Sequence, residues 1–126
     1  MKAPKEPTIL VIEDDDRVRT LLRDILVIGG YRVIEASDGR SGIRNLEKWD
    51  MIDLVLTDLG MPGMNGWEVA RMTKRKVPQL PVILLTEWRL SPDGKKIKES
   101  GVDRIIGKPF KVNDILESAH LFVRMD

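Results

Sequence analysis

The stretch from Thr8 to Asp15, TILVIEDD, decides how this chain is read: five residues apolar on both faces stop at Glu13, Asp14 and Asp15. A short β-branched run without polar alternation is what a strand buried in a parallel sheet looks like. A second such run, DLVLT (residues 53–57), stops at the lone carboxylate Asp58. Two buried strands that each end in acid make one acidic pocket. Carboxylates gathered there repel and raise each other's pKa unless a cation sits among them, so the arrangement asks for a divalent metal.

Working outward, the period changes. From Asp16 to Ile28, Val18, Leu21, Leu22, Ile25 and Leu26 fall on one helical stripe that stops at Gly29-Gly30. YRVIE (31–35) reads as a second strand, and Gly39 to Trp49 as a helix carrying Ile43, Leu46 and Trp49. After the third strand (53–57) a loop of Gly, Met and Pro runs to Met64, and Asn65 begins a helix holding Val69 and Met72. PVILL (81–85) is a fourth strand, and Ser91-Pro92-Asp93 starts a helix that Gly101 ends. Asp103 to Ile106 is a short fifth strand, and a last helix from about Val112 carries Ile115, Leu116, Ala119 and Val123. Strands alternating with helices in this way predict a single doubly wound α/β domain, a five-stranded parallel sheet with five helices. The expected domain spans residues 8–124 behind a loose tail, 1–7, marked by Pro4, Pro7 and alternating charge.

Composition limits the function classes. A chain of 126 residues forms one domain and buries roughly two thirds of the surface its unfolded form exposes. With no cysteine there is no disulfide, thiol nucleophile or thiolate site, so any metal ligand is oxygen or His120. No apolar stretch approaches the roughly 20 residues of a membrane helix, and MKAPKEPT lacks the apolar core of a signal peptide; the expected setting is the cytoplasm, away from membrane. A net charge of +1 argues for no direct nucleic-acid partner.

Ligands of open parallel sheets bind beyond the carboxyl ends of the strands. There Glu13 and Asp14 end strand one, Asp58 ends strand three, Thr86 ends strand four and Lys108 follows strand five. Asp14 and Asp58, with Glu13 directly or through water, suit Mg²⁺ in a mostly oxygen octahedron. Lys108 and the Thr86 hydroxyl supply contacts for phosphoryl oxygens. Asp58, alone on the central strand and followed by a glycine-rich loop, is the expected nucleophile, forming an aspartyl phosphate. Asp15 and Asp16 are helix-start charges. Trp67, Met61 and Met64 read as loop packing, Lys95, Lys96 and Lys98 as a solvated helix face, and His120 as a surface or interface residue.

Four pieces, ILVIEDD (9–15), LVLTDLGMPGMNGWE (54–68), PVILLT (81–86) and IGKPF (106–110), resemble the response-regulator receiver domain of two-component signalling, over Thr8 to Val123. The resemblance implies strand order 2-1-3-4-5 and a phospho-acceptor at Asp58. It further implies direct Mg²⁺ ligation by Asp14, an outer role for Glu13, and a backbone ligand from Gly60. Thr86 matches the switch hydroxyl, Lys108 its phosphoryl-pairing lysine, and Pro109 the family's cis peptide. Implied partners are a sensor histidine kinase or histidine phosphotransfer protein upstream and a downstream protein on the face of helix four, strand five and helix five. Such a protein phosphorylates and dephosphorylates itself and is not an enzyme with a turnover substrate.

Three departures from that pattern stand out: Ile105 where an aromatic is usual, Glu87 where a small residue is usual, and the pair Gly60 and Trp88, open at one position and bulky at the other, which push in opposite directions. Ile105 and Glu87 predict a switch unlike the Thr-and-aromatic scheme. An FMN binder on this topology would need a phosphate-cradling loop where EDDD stands. A phosphohydrolase would need a second acid where Gly60 stands. A degenerate, phosphorylation-independent binding module is the alternative that Glu87 sustains. VILLTEW and VDRIIGKPF also resemble the terminal receivers of hybrid histidine kinases.

Overall fold

The computed structural model describes residues 6–49, 51–87 and 94–123. Ten elements alternate without exception: β1 (Thr8–Ile12), α1 (Asp16–Ile28), β2 (Arg32–Ala36), α2 (Gly39–Lys48), β3 (Leu54–Asp58), α3 (Gly66–Lys76), β4 (Val82–Glu87), α4 (Gly94–Ser100), β5 (Arg104–Lys108) and α5 (Val112–Phe122). The five strands are parallel in the order β2-β1-β3-β4-β5.

Strand parity sorts the core into two layers. Ile9 and Val11, with Leu54, Leu56, Ile83 and Leu85, pack against Leu22, Ile25 and Leu26 of α1 and Ile115 and Ala119 of α5. Leu10 and Ile12, with Val55 and Val82, pack against Ile43 and Leu46 of α2 and Val69 and Ala70 of α3. Each side chain the size of leucine that leaves water contributes roughly 1.5–3 kcal/mol. Continuing the first parity to the carboxyl ends of the strands, one residue past β1 and to the last residues of β3 and β5, brings Glu13, Asp58 and Lys108 onto that same face.

The helix starts are built as the residue types require. The Asp15 carboxylate caps α1, accepting from the N–H groups of Arg17 at 2.9 Å and Val18 at 3.2 Å. Asn65 caps α3 in a reciprocal box with Glu68. Two other aspartates pin the sheet. Asp53, just before β3, accepts from the first N–H of β1 (Thr8, 2.8 Å), and Asp103, just before β5, accepts from the first N–H of β4 (Val82, 2.8 Å).

Several expected boundaries move. β3 runs to Asp58 itself, because Asp58 pairs with Leu85 of β4, and β4 runs through Thr86 to Glu87. Lys108 is the last residue of β5 rather than one beyond it. β2 begins at Arg32, whose N–H donates to the Pro7 carbonyl at 2.9 Å, so the ladder reaches into the segment expected to be tail. Leu21 stands off the α1 stripe at 49% exposure. Trp49 is not carried on α2: it is the extended residue after it, 47% exposed, with the Lys48 ammonium 5.5 Å from its ring centre. The Ser91-Pro92-Asp93 helix start, Trp88 and residues 1–5 lie outside the described residues.

His120, expected at the surface, is exposed but engaged: its Nδ1 lies 2.7 Å from the Tyr31 hydroxyl, tying the last turn of α5 to the start of β2. Burial pushes the Tyr31 hydroxyl above its ordinary value of 10.0. A group whose folded pKa is raised contributes stability that is complete below 10.0 and is lost as pH rises through the higher folded value. Because the chain has a single tyrosine, tyrosinate absorbance in an alkaline titration reports this group alone. The expected midpoint lies above that of the unfolded chain; coincident midpoints would contradict the buried hydroxyl.

Candidate functional site

Everything chemically distinctive gathers at the carboxyl end of the sheet. The Lys108 ammonium lies between two buried carboxylates, 2.7 Å from Asp58 Oδ1 and 3.0 Å from Glu13 Oε1. Glu13 is 1% exposed and Asp58 6%. One carboxylate oxygen from each of Glu13, Asp14 and Asp58 lies within 4.8 Å of the other two, with Asp14 the solvent-facing member. The Lys108–Pro109 peptide that follows is cis.

Every polar group of Glu13 is engaged. Its N–H donates to the Ala36 carbonyl at 3.0 Å, extending the β1–β2 ladder by one residue. Its carbonyl accepts from Arg19 Nη1 at 2.9 Å, Oε1 meets Lys108, and Oε2 accepts from the Asp15 N–H at 3.2 Å. Burial is nonetheless the largest influence and pushes the Glu13 carboxyl above 4.5; the Lys108 and Asp15 hydrogen bonds pull it down, and the nearby Asp58 charge and Asp14 carboxyl add to the rise. Burial opposes the charged form of Lys108, but its hydrogen bonds to Asp58 and Glu13 outweigh that and hold the ammonium above 10.5.

Thr86 is 5% exposed, and its Oγ1 is buried without a hydrogen-bond partner among the described residues. An unpaired buried hydroxyl costs about 1–3 kcal/mol and is a standing offer to an incoming acceptor. In register, Thr86 sits opposite Gly107 and Glu87 opposite Lys108, but Glu87 is exposed. Ile105 is half-buried on β5 opposite Leu84. Gly60 is exposed with open space where a side chain would be. Met61 is buried in the core from the loop after β3, as expected, whereas Trp67 is buried from the first turn of α3 rather than from a loop, and Lys95, Lys96 and Lys98 are exposed on α4.

Two contributors carried no mark as site residues in the sequence reading. Arg19 holds the Glu13 carbonyl from the second turn of α1, and its only sequence signal is a basic residue six positions past the acid. Gly66 opens α3 against the end of β3: a Cβ there would stand 2.6 Å from the Asp58 carbonyl oxygen. Gly66→Ala is therefore expected to displace the Asp58 backbone and to lower stability by about 1–3 kcal/mol, seen as a reduced urea midpoint at unchanged slope. An unaltered midpoint would show that α3 can shift freely.

The site is thus a lysine-bridged acidic cluster at the carboxyl ends of β1, β3 and β5 of a five-stranded doubly wound domain. The family model for the response regulator receiver domain matches residues 9–120, and the chain belongs to that family. Transcriptional regulatory protein AfsQ1 of Streptomyces coelicolor is 41% identical over 103 residues, which is 82% of this chain and 45% of that protein. Sensor histidine kinase RcsC of Escherichia coli is 34% identical over 114 residues, 90% of this chain and 12% of that protein. The chain thus spans less than half the length of both. Chemotaxis protein CheY4 of Vibrio cholerae superposes with TM-score 0.87 at 24% identity, over 94% of this chain and 100% of that one, a likeness of fold. A CheY-like receiver domain protein from Methanospirillum hungatei gives 0.79 at 29% identity, over 94% of each chain.

Proposed function

We propose that this receiver domain takes a phosphoryl group from a phosphohistidine onto Asp58 in a Mg²⁺-dependent reaction. The observation that carries this reading is the Lys108 ammonium bridging Asp58 and Glu13 beside Asp14. A carboxylate oxygen of Asp58 forms the new P–O bond as the P–N bond to the donor imidazole breaks, and the imidazole nitrogen leaves with the bonding pair. No electrons are exchanged with a third component, and the acceptor is the protein's own side chain rather than a turnover substrate.

The donor set fits the metal: three carboxylates, one open to solvent, with no softer ligand among them. Asp14 and Asp58 would hold Mg²⁺ with the Gly60 carbonyl, and Glu13, committed to Lys108 and the Asp15 N–H, would act from outside that shell. When bound, Mg²⁺ supplies the positive charge that lets an anionic donor approach three acids. Lys108 holds the Asp58 carboxylate in place before transfer and offers its ammonium to a phosphoryl oxygen after it. Thr86 contributes a hydroxyl, unpaired among the described residues, that a phosphoryl oxygen would satisfy.

The proposed upstream partner is a histidine kinase or histidine phosphotransfer protein, and the proposed output face is α4, β5 and α5. With Ile105 in place of an aromatic ring, we read the response as a rearrangement of Thr86 and its neighbours without a ring flip; a ring-flip-like change at this face in the phosphorylated protein would contradict it. Among the described residues no helix is long and apolar enough to cross a membrane, and the proposed setting is the cytoplasm. Similarity to part of RcsC supports, as a second reading of context, a receiver that works within a hybrid histidine kinase.

The test is incubation with acetyl phosphate in Mg²⁺ and again in excess chelator, reading intact mass. A mass gain of one phosphoryl group is expected only with Mg²⁺. No gain in either condition, with beryllofluoride also leaving Trp fluorescence unchanged, favours the phosphorylation-independent binding module.

A further inference from the structure

The connection from β1 to α1 is three residues long, and all three are acids. Asp15 is fixed as the cap of α1, and Glu13 is fixed through its carboxylate. Asp14 between them is exposed, so the position from which its carboxylate departs is set by its backbone rather than by packing.

That backbone is held from one side by Arg19. The guanidinium donates through Nη1 to the Glu13 carbonyl at 2.9 Å, pairs through Nη2 with Asp16 Oδ1 at 2.5 Å, and places Nε 3.5 Å from Glu35 Oε1 on β2. Its side chain is 17% exposed, and the planar fork spends separate nitrogens on three acceptors in a geometry that lysine cannot reproduce. The Glu13 carbonyl belongs to the same rigid peptide plane as the Asp14 N–H. Fixing that oxygen therefore fixes the plane from which Asp14 departs, while the Ala36 carbonyl fixes the preceding one.

We infer that Arg19 is a positioning residue for the acidic site: through the Glu13 carbonyl it sets where Asp14 presents its carboxylate to a divalent cation. The inference rests on the reading that Glu13, Asp14 and Asp58 hold Mg²⁺. Partners that orient metal ligands without touching the metal typically govern 10–100-fold in affinity. The competing role is a strap: Arg19 and Arg23 both approach Glu35, at 3.5 Å and 3.6 Å, and would tie α1 to β2 whatever happens in the pocket.

Two variants separate these roles. Arg19→Met keeps an apolar stem and removes every donor, whereas Glu35→Gln removes the strap's charge and leaves the guanidinium free to hold the Glu13 carbonyl. Calorimetric titration with Mg²⁺ alone is expected to show Arg19→Met weaker than wild type on the order of tenfold. Glu35→Gln is expected within about twofold of wild type, as a partly exposed pair would be, and Arg19→Lys, with one donor nitrogen in place of three, in between. Without metal, the Glu13 carbonyl carbon and Asp14 amide nitrogen resonances should move in Arg19→Met and stay in Glu35→Gln. Equal affinity in wild type and Arg19→Met, or equal weakening in both variants, overturns the inference. If Arg19→Met does not fold, Arg19→Lys carries the test, and wild-type affinity there overturns it. Failure of the wild type to bind Mg²⁺ overturns the metal reading itself, and this inference with it.

Discussion

Asp58→Asn is expected to abolish phosphoryl uptake, leaving intact mass unchanged after acetyl phosphate and Mg²⁺ where the wild type gains a phosphoryl group. The amide lone pair is delocalised and its oxygen carries no formal charge, so the variant keeps the shape of the side chain and loses the nucleophile. It also loses one of the three clustered carboxylate charges, so Mg²⁺ affinity should fall as well. The fold should survive, because Lys108 retains Glu13 as a partner at 3.0 Å and repulsion within the cluster is relieved. A phosphorylated Asp58→Asn protein would move the acceptor to another residue and overturn the proposed chemistry.

Lys108→Met carries the largest expected cost in stability. The ammonium is the cation shared by Glu13 and Asp58, both nearly excluded from water, and methionine keeps the stem while removing the charge. Deleting one partner of a buried pair leaves uncompensated charge and costs 3–5 kcal/mol in general; about 3 kcal/mol is expected here, because the Lys108 side chain is itself 22% exposed. The loss should depend on pH in a definite sense. The folded Glu13 carboxyl already lies above 4.5, so its contribution is complete below 4.5 and is lost as pH rises through the higher folded value. Removing Lys108 deletes the largest influence holding that carboxyl down, so the variant should lose more stability between acid and neutral pH than the wild type. Mg²⁺ should restore part of it. Urea denaturation across that range, with and without Mg²⁺, checks both points; a deficit independent of pH and metal would show that Lys108 stabilises by packing alone.

The layered α/β architecture was legible from period alone. TILVI and DLVLT are too apolar on both faces for anything but a covered sheet, and the helical stripes between them keep their spacing wherever a core face exists. Strand ends were less legible, because hydrophobicity does not say which polar residue a ladder takes in. Asp53 looked like the start of β3, yet its carboxylate is spent on the Thr8 N–H, and Asp58 looked like the residue beyond it, yet it closes the strand. Leu21 and Trp49 were placed inward on residue type, but an apolar side chain left in water at a helix edge breaks no rule of periodicity.

The acidic pocket divides along the same line. Residue types and the ends of predicted strands were enough to nominate Glu13, Asp14, Asp58, Thr86 and Lys108, since carboxylates at buried strand ends are costly and demand a cation wherever they occur. Which of those groups touch is a property of pairings 45 and 95 residues apart in the chain. That Lys108 bridges Glu13 and Asp58, that Thr86 keeps a hydroxyl unpaired among the described residues, and that Arg19 holds the Glu13 carbonyl follow only once β1, β3, β4 and β5 are laid side by side with α1 against them. Local sequence carries periodicity and chemical type, whereas distance between side chains belongs to the register of the sheet.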